Sequence, residues 1–590
     1  MRRRPSTDST VALLTAALAL ILTLTIAPVL QAQDSVIVID PDAPAVTPTA
    51  SRTLPPGVLD EAVRRFNDTT TLRFISDIDV PAGAVLTSPV GLFRGTLSIG
   101  GAVEGSITVV NGDVVIQPGG SVSGDILVVG GDLIVRPGGL HRGSGRVYAE
   151  IAEVYRDNDG LLHVSEERTP LAELAAEKTF QVGDVKTTLK LSLGGTYNRV
   201  EGLPIYFGTI FQWRPSDLDT LSLEIRGILR TAPDQLDLRS DLGYYADLGW
   251  RSGSGPQWSV DLVARSEMVG IEQQPLSRSE NGWSAFILQR DYRDWYQAEG
   301  IGATLGLSLA RPLRILLTLR GQDERSVRAS DPWSLLRNSD RWRPNPLIDD
   351  GRYLSGTIGL TLDTRNSTSF PSSGWLVRAS YDQNWSDKVA PLLLPISIRR
   401  PIRTSQTYNF GRVSFDARRY MRISPAVRVG TRLFAEGWVG GDDLPVQRRY
   451  SLGGTDLMPG YRFRQVTCAP PGFEGPAEAA FCNRLIALQV EVRTRLSFGW
   501  AYRLRDRERA ELDRLVAIDQ ADLVFLADAG TAWIAGDGPG QIAANKLPAG
   551  SQWKYDVGVG LDLGGVGVYL AKALTDNVPV RLILRLQRRF

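Results

Sequence analysis

Carboxylates and guanidiniums two residues apart recur in the second half of the chain: Asp363 with Arg365, and Glu491 with Arg493. Asp528 sits in a similar setting, between small residues. A spacing of two puts both members of a pair on one face of a strand. Such pairs suggest acid/base chemistry, but on the inner face of a barrel they read as a structural charge network. His141 and His163 lie in different parts of the chain, and neither has a carboxylate-and-nucleophile set nearby. No G-x-S-x-G, H-E-x-x-H or G-x-x-x-x-G-K-[ST] occurs. Gly300-Ile301-Gly302 and Gly558-Val559-Gly560 lie in alternating stretches with no helix after them, so they read as strand glycines and not as dinucleotide loops. The reading has no catalytic residues, no metal site and no cofactor, and the protein is not expected to be an enzyme.

Composition narrows the classes further. With 66 basic and 65 acidic residues the net charge is +1, which gives no field to gather nucleic acid. Hydrophobic residues at 43% exclude a disordered chain. Two cysteines and two histidines exclude a zinc ribbon. Glycine, 59 of 590 residues, is above the roughly 7% average and suits turns and strand-rich structure.

The elements that carry these residues follow from pattern. Arg2, Arg3 and Arg4 precede an apolar run over 11–29, and Leu30-Gln31-Ala32 offers a small residue for cleavage. Residues 1–32 are expected to be a signal peptide, with an uncleaved anchor as the alternative. No later run approaches the roughly 18 apolar residues of a membrane helix. Residues 33–84, rich in Pro, Thr, Asp and Ala, read as a linker with a short amphipathic helix at 57–68.

Residues 85–149 repeat. The segments 105–123 and 124–142 align without a gap at a period of 19. They share Gly105/Gly124, Val109/Val128, Val110/Val129, Gly112/Gly131, Asp113/Asp132 and Pro118-Gly119-Gly120/Pro137-Gly138-Gly139. Short Val/Ile strands cut by such turns predict stacked β-solenoid coils; the alternative is a two-hairpin sheet. The coils resemble those of bactofilins, which implies self-association. Residues 150–180 read as a connector with a helix at 171–178.

From 181 to 590 the pattern is period two. Leu354, Ile358, Leu360 and Leu362 share one face, against Thr357, Thr361, Asp363 and Arg365. The stretches run to about 10–14 residues, the length of a tilted membrane strand. Strands are predicted to begin near 187, 203, 219, 237, 257, 298, 312, 353, 374, 407, 426, 484, 520, 552, 566 and 579. That is an all-β, 16-stranded antiparallel transmembrane barrel preceded by a short β-solenoid. Connections after even strands are mostly short and those after odd strands mostly long, as periplasmic turns and external loops are. The exception is a charged, helix-like stretch at 499–519. Parity then places both ends of the barrel in the periplasm. Val580, Leu582, Leu584, Leu586 and Phe590 share the outer face of the last strand, and Phe590 resembles the terminal sorting signal of outer-membrane barrels. Arg588 departs from the usual apolar choice there.

Four motifs carry a family resemblance. They are Asp363-Thr364-Arg365 with Phe370-Pro371-Ser372-Ser373-Gly374-Trp375; Leu452-Gly453-Gly454 with Gly460-Tyr461; Glu491-Val492-Arg493; and Leu526-Ala527-Asp528-Ala529-Gly530-Thr531-Ala532-Trp533. In this order they resemble the bacterial surface antigen family, the superfamily of the assembly factors BamA and TamA. Tyr197-Asn198-Arg199-Val200-Glu201-Gly202 and Asp291-Tyr292-Arg293-Asp294-Trp295-Tyr296 resemble branches of the same superfamily. The resemblance implies a loop around Gly453, Gly454, Gly460 and Tyr461 folded into the lumen. It also implies an arginine before Gly-Tyr that pairs with the acidic residue of the later motif. Here that position is Pro459, so Arg462 or Arg464 is expected to pair with Asp528 or Glu491. Cys468 and Cys482 fall in this loop and are expected to bridge it, with two free thiols as the alternative. The family's periplasmic POTRA modules have no counterpart in 33–180.

The resemblance implies an outer-membrane protein that assists insertion or translocation of client outer-membrane proteins. The alternative is a non-catalytic anchor or pore displaying a solenoid; lipid transfer is a third reading. Partners expected are outer-membrane lipid, client proteins and a second copy through the solenoid, with no nucleic acid.

Overall fold

The computed structural model describes Leu54 and residues 57–589, apart from 75–76, 149–151, 153, 157–159, 165–172, 195–196, 217, 233–241, 254–255, 272–275, 311, 337–340, 366–370, 395–406, 424–426, 469–480, 497–520, 564–565 and 587. The signal-peptide segment, the 499–519 stretch and Phe590 fall outside the described residues. The chain divides into two compact units, one of the residues up to Glu166 with 366–370 and 548–553, the other of the remainder.

In the first unit, short strands pair in parallel, one coil on the next. Ile107 faces Ile126, Val109 faces Val128 and Val110 faces Val129, which is the 19-residue register of the repeat. Parallel pairing excludes the two-hairpin alternative, because a hairpin joins antiparallel strands. Val109 and Val128 are buried inside the stack with Leu92, Leu97 and Ile116. Val110 and Val129 turn to the opposite face, where helix α1 (Val58–Asn67) covers them with Phe66 and Ala62. The repeated glycines permit this stacking: a Cβ on Gly131 would lie 1.7 Å from the Gly112 carbonyl oxygen. Asp113 Oδ1 accepts from the Asp132 amide at 2.8 Å, one coil on. The stack begins earlier than the repeat suggests, since Leu72–Phe74 and Ile78–Val80 already pair with Val90–Ile99. The linker reading of 33–84 therefore ends too late.

The second unit is one antiparallel sheet of seventeen strands, each bonded to its neighbour in sequence. They are β1 Glu173–Val182, β2 Val185–Gly194, β3 Ile205–Trp213, β4 Asp219–Leu229, β5 Leu242–Ser252, β6 Gln257–Gly270, β7 Trp295–Ala310, β8 Leu313–Ser326, β9 Asp350–Asp363, β10 Gly374–Ala390, β11 Tyr408–Arg422, β12 Val427–Gly441, β13 Arg484–Arg495, β14 Ala521–Trp533, β15 Lys554–Leu563, β16 Val566–Ala573 and β17 Arg581–Arg585. Helix α2 (Arg278–Leu288) lies in the β6–β7 connection. All sixteen expected strands are present as β2 to β17. The seventeenth, β1, is the segment read as a helix at 171–178. Its Leu-Ala-Glu-Leu-Ala-Ala run has high helix propensity, a weak preference that tertiary pairing overrides. Ten residue pairs with β2, closed at Gly183, do so here. Gly183 has φ +59°, in the region where glycine is favoured.

The extra strand corrects the parity argument. Glu173 faces Gly194, so β1 starts at the rim where β2 ends. The sheet's two termini therefore lie at opposite rims, not both at the periplasmic one.

Alternation sorts the two faces. Leu354, Ile358 and Leu360 are 50%, 53% and 40% exposed on the outer face. Beside them Tyr353 is buried, and Thr357 donates to Asp382 at 2.8 Å on the inner face. Exposed leucines on successive strands are anomalous in water and correct for a surface that meets lipid tails. Among the described residues no helix is long and apolar enough to cross a membrane; the strands do so.

Candidate functional site

The chain after β12 folds back into the lumen. Leu444, Tyr450, Leu452, Leu457, Met458 and Tyr461 are buried there against Tyr353, Phe410, Phe434, Leu485 and Trp533 of the sheet. Gly453 and Gly454 make the reversal, at φ +120° and +102°. Gly460 sits directly on β15 and β16: a Cβ there would lie 2.6 Å from the Asp556 Cβ and 2.8 Å from the Lys572 carbonyl carbon. Its amide donates to Asp556 Oδ2 at 2.6 Å. The Tyr461 hydroxyl meets the Thr575 hydroxyl at 2.9 Å. Gly530 of β14 leaves room for Leu452 and Met458, which a Cβ would approach to 3.0 and 3.2 Å. Cys468 and Cys482 are bonded, with Cα atoms 5.0 Å apart, so the free-thiol alternative fails. Closing a loop of this size contributes roughly 3 kcal/mol in the chain-entropy picture.

The cation that replaces the family's arginine is not where the sequence reading placed it. Arg462 is exposed, and its backbone amide donates to Gln465 Oε1 at 2.9 Å. Arg464 turns to Asp294. Neither meets Asp528 or Glu491. Asp528 pairs instead with Arg589, Nη2 to Oδ2 at 2.6 Å. Glu491 is held by Arg493 of its own strand at 3.0 Å, and Arg493 reaches Asp562 at 2.5 Å. Asp363 and Arg365 pair at 2.7 Å beside the β9–β10 turn. There Thr364 and Trp375 exchange hydrogen bonds of 2.8 and 3.0 Å.

Arg589 has two companions that the sequence reading missed. Arg581 and Arg585 lie on the face of the terminal strand opposite Leu582 and Leu584, and Arg589 follows at the same four-residue spacing beyond the strand's end. Arg581 donates to the carbonyls of Pro459, at 3.0 Å, and Tyr461. Arg585 donates to the Thr455 carbonyl at 3.1 Å. Arg589 donates to those of Asp456 and Leu457 at 2.7 and 3.0 Å. From the other side Arg432 reaches Asp456 at 3.1 Å while pairing with Asp416 at 3.0 Å, and Gln489 donates to the Asp456 and Leu457 carbonyls. The loop tip is thus gripped by β12, β13 and β17. The four-residue arginine spacing, set against the leucine face, was the available signal.

A second cluster joins two further motifs. Arg199 and Asp294, both fully buried, form an ion pair, and Arg199 also meets Asp291 at 3.0 Å and Asn345 at 3.0 Å. Burial alone would raise the Asp294 carboxyl, but the guanidiniums of Arg343, Arg464 and Arg199 hold it well below the usual carboxylate range. Asp528, Glu491, Asp294 and Asp416 each meet a guanidinium, while Arg581 and Asp556 bond the loop backbone, an arrangement for holding a loop in place. Among the described residues no group of three His, Cys, Asp or Glu side chains is placed to hold a metal.

Fold and site together define a transmembrane barrel whose own loop is anchored in its lumen and to its last strand. The Omp85 superfamily domain matches residues 234–565, more than half the chain, and the protein belongs to that superfamily. Similar solved structures include BamA from Haemophilus ducreyi lacking POTRA domains 1–3, at 12% identity over 71% of this chain and 75% of that one, TM-score 0.40. CdiB from Acinetobacter baumannii is similar at 10% identity over 70% and 65%, TM-score 0.29. CdiB from Escherichia coli is similar at 13% over 69% and 62%, TM-score 0.31. The chain thus spans less than two thirds of either CdiB. No curated protein matches it. The bactofilin resemblance of the coils gains no support from these comparisons.

Proposed function

We propose that this outer-membrane barrel assists insertion or translocation of client proteins through the seam between its first and last strands. The observation that carries the reading is the seam itself. Among the described residues β1 and β17 are not bonded to each other: each has a single neighbour in the sheet. The last ladder, β16 with β17, has only five residue pairs. An edge with unpaired backbone groups is a template for another strand. Membership of the Omp85 superfamily supports the same reading. The lumen loop, packed against the sheet and gripped from three strands, argues against a passive open pore.

The test is insertion of a urea-unfolded client barrel into liposomes that contain the full chain. Insertion faster than into empty liposomes is expected. A folded, ion-conducting barrel that leaves the rate unchanged would support the anchor-or-pore reading instead.

A further inference from the structure

Strand β17 is short, and among the described residues its five-pair ladder to β16 is its only one. What else holds it is a set of side chains. Glu280, in the first turn of α2, accepts from Arg585 Nε at 3.1 Å and from the Leu586 backbone amide at 2.7 Å. The same carboxylate closes the capping box with Ser277 that starts the helix. The free end of the Arg585 guanidinium binds the Thr455 carbonyl at the loop tip. One arginine therefore ties three elements together: the terminal strand, the helix of the β6–β7 connection, and the lumen loop. Glu280 and Arg585 are 4% and 5% exposed. Separating them takes the arginine from a buried carboxylate and leaves the buried guanidinium with the Thr455 carbonyl and the more distant Asp456 carboxylate at 3.9 Å, so release is unfavourable.

We propose that Glu280 and Arg585 form a clasp that holds β17 in place, and that release of this clasp gates the seam. The inference rests on the seam reading above and adds its control: α2 and the loop tip decide when the last strand is free. Capping of the helix and anchoring of the strand share one carboxylate, so the two elements loosen together.

The test is amide hydrogen exchange of the full chain in lipid nanodiscs, read on peptides covering 278–290 and 576–590. In the native protein both peptides are expected to exchange in one correlated opening. Glu280→Gln, which keeps an acceptor for the Ser277 cap, and Arg585→Gln are each expected to speed exchange of 576–590 at least tenfold. The strands β8 to β11 should stay unchanged. The charge-swapped pair Glu280→Arg with Arg585→Glu should recover only part of the protection, because it restores the ion pair but neither the acceptor for Ser277 and the Leu586 amide nor the donor to the Thr455 carbonyl. Independent opening of the two peptides in the native chain would overturn the clasp even if neither variant folds. So would variants that loosen every strand equally, or that change nothing. Exchange does not depend on clients: correlated opening without client insertion would leave the clasp standing and remove the seam reading. Insertion unaffected by variants of native exchange would do the reverse.

Discussion

Asp528 shows what one buried charge demands. It is 4% exposed, on the inner face of β14, and its cation comes from Arg589, 61 residues away. The family's arginine position holds Pro459, which offers only a carbonyl, and Arg581 takes that carbonyl. Polarity has thus been redistributed: a loop with no arginine at that position is gripped through its backbone by Arg581 and Arg585 of the terminal strand and by Arg589 just beyond it. Removing one partner of such a pair is expected to cost about 3–5 kcal/mol. Arg589→Gln should lower the urea midpoint of the lipid-embedded barrel accordingly, and the double change with Asp528→Asn should recover most of the loss. A double variant as unstable as Arg589→Gln alone would mean that the backbone contacts to Asp456 and Leu457 carry the anchoring.

At the scale of elements, α1 is held on the solenoid by apolar contact and by one ion pair. Phe66 and Ala62 are fully buried, and a Phe side chain contributes about 1.5–3 kcal/mol by burial. Glu61 pairs with Arg146 of the last coil at 2.5 Å. The Arg146 hydrogen bonds hold the Glu61 carboxyl below its ordinary value of 4.5, against an opposing push from burial. A depressed carboxyl contributes stability that is fully present above the unfolded value and is lost as pH falls through the folded one. Docking of α1 should therefore weaken only below about pH 4.5, by roughly 0.5–1 kcal/mol for a partly exposed pair. Exchange of the 58–67 peptide measured against pH checks this, and Glu61→Gln should show the weakened docking at neutral pH with no further acid step. Elements also show where local preference was a poor guide. Helix α1 (Val58–Asn67) and strand β1 (Glu173–Val182) both carry good helix formers. The first has a solenoid face to cover; the second has β2 beside it, whose edge groups need partners.

The whole molecule is two units with separate cores. The solenoid's interior is built from its own valines, isoleucines and leucines, and the barrel's largest core cluster from its loop and strands. Deleting 54–166 is expected to leave the barrel folded, as judged by heat-modifiable migration in gels. Among the described residues Leu133–Val135 and Leu140–His141 have a strand partner on one side only. On the self-association reading the deletion should also reduce oligomer size in detergent. An unchanged size would make the solenoid a spacer, and loss of the folded barrel would show that the units depend on each other.

Much of this architecture is written in local pattern. Alternation with period two assigned Leu354, Ile358 and Leu360 to the lipid face, because successive side chains of a strand must point to opposite sides. The 19-residue spacing placed Val109 on Val128, because parallel coils stack equivalent positions. Gly453, Gly454 and Gly460 marked the lumen loop through the family resemblance alone; the positive φ of the first two and the close backbone approach of the third are what the structure adds. Partner choice is different in kind. Nothing near Asp528 in sequence points to Arg589, and Glu280 and Arg585 are 305 residues apart. A charge carries no local mark of the opposite charge it will meet; that is decided only when the curled sheet brings distant side chains within hydrogen-bond reach. The same holds for β1, whose helical composition yielded to the open edge of β2, a partner that exists only once the sheet has formed.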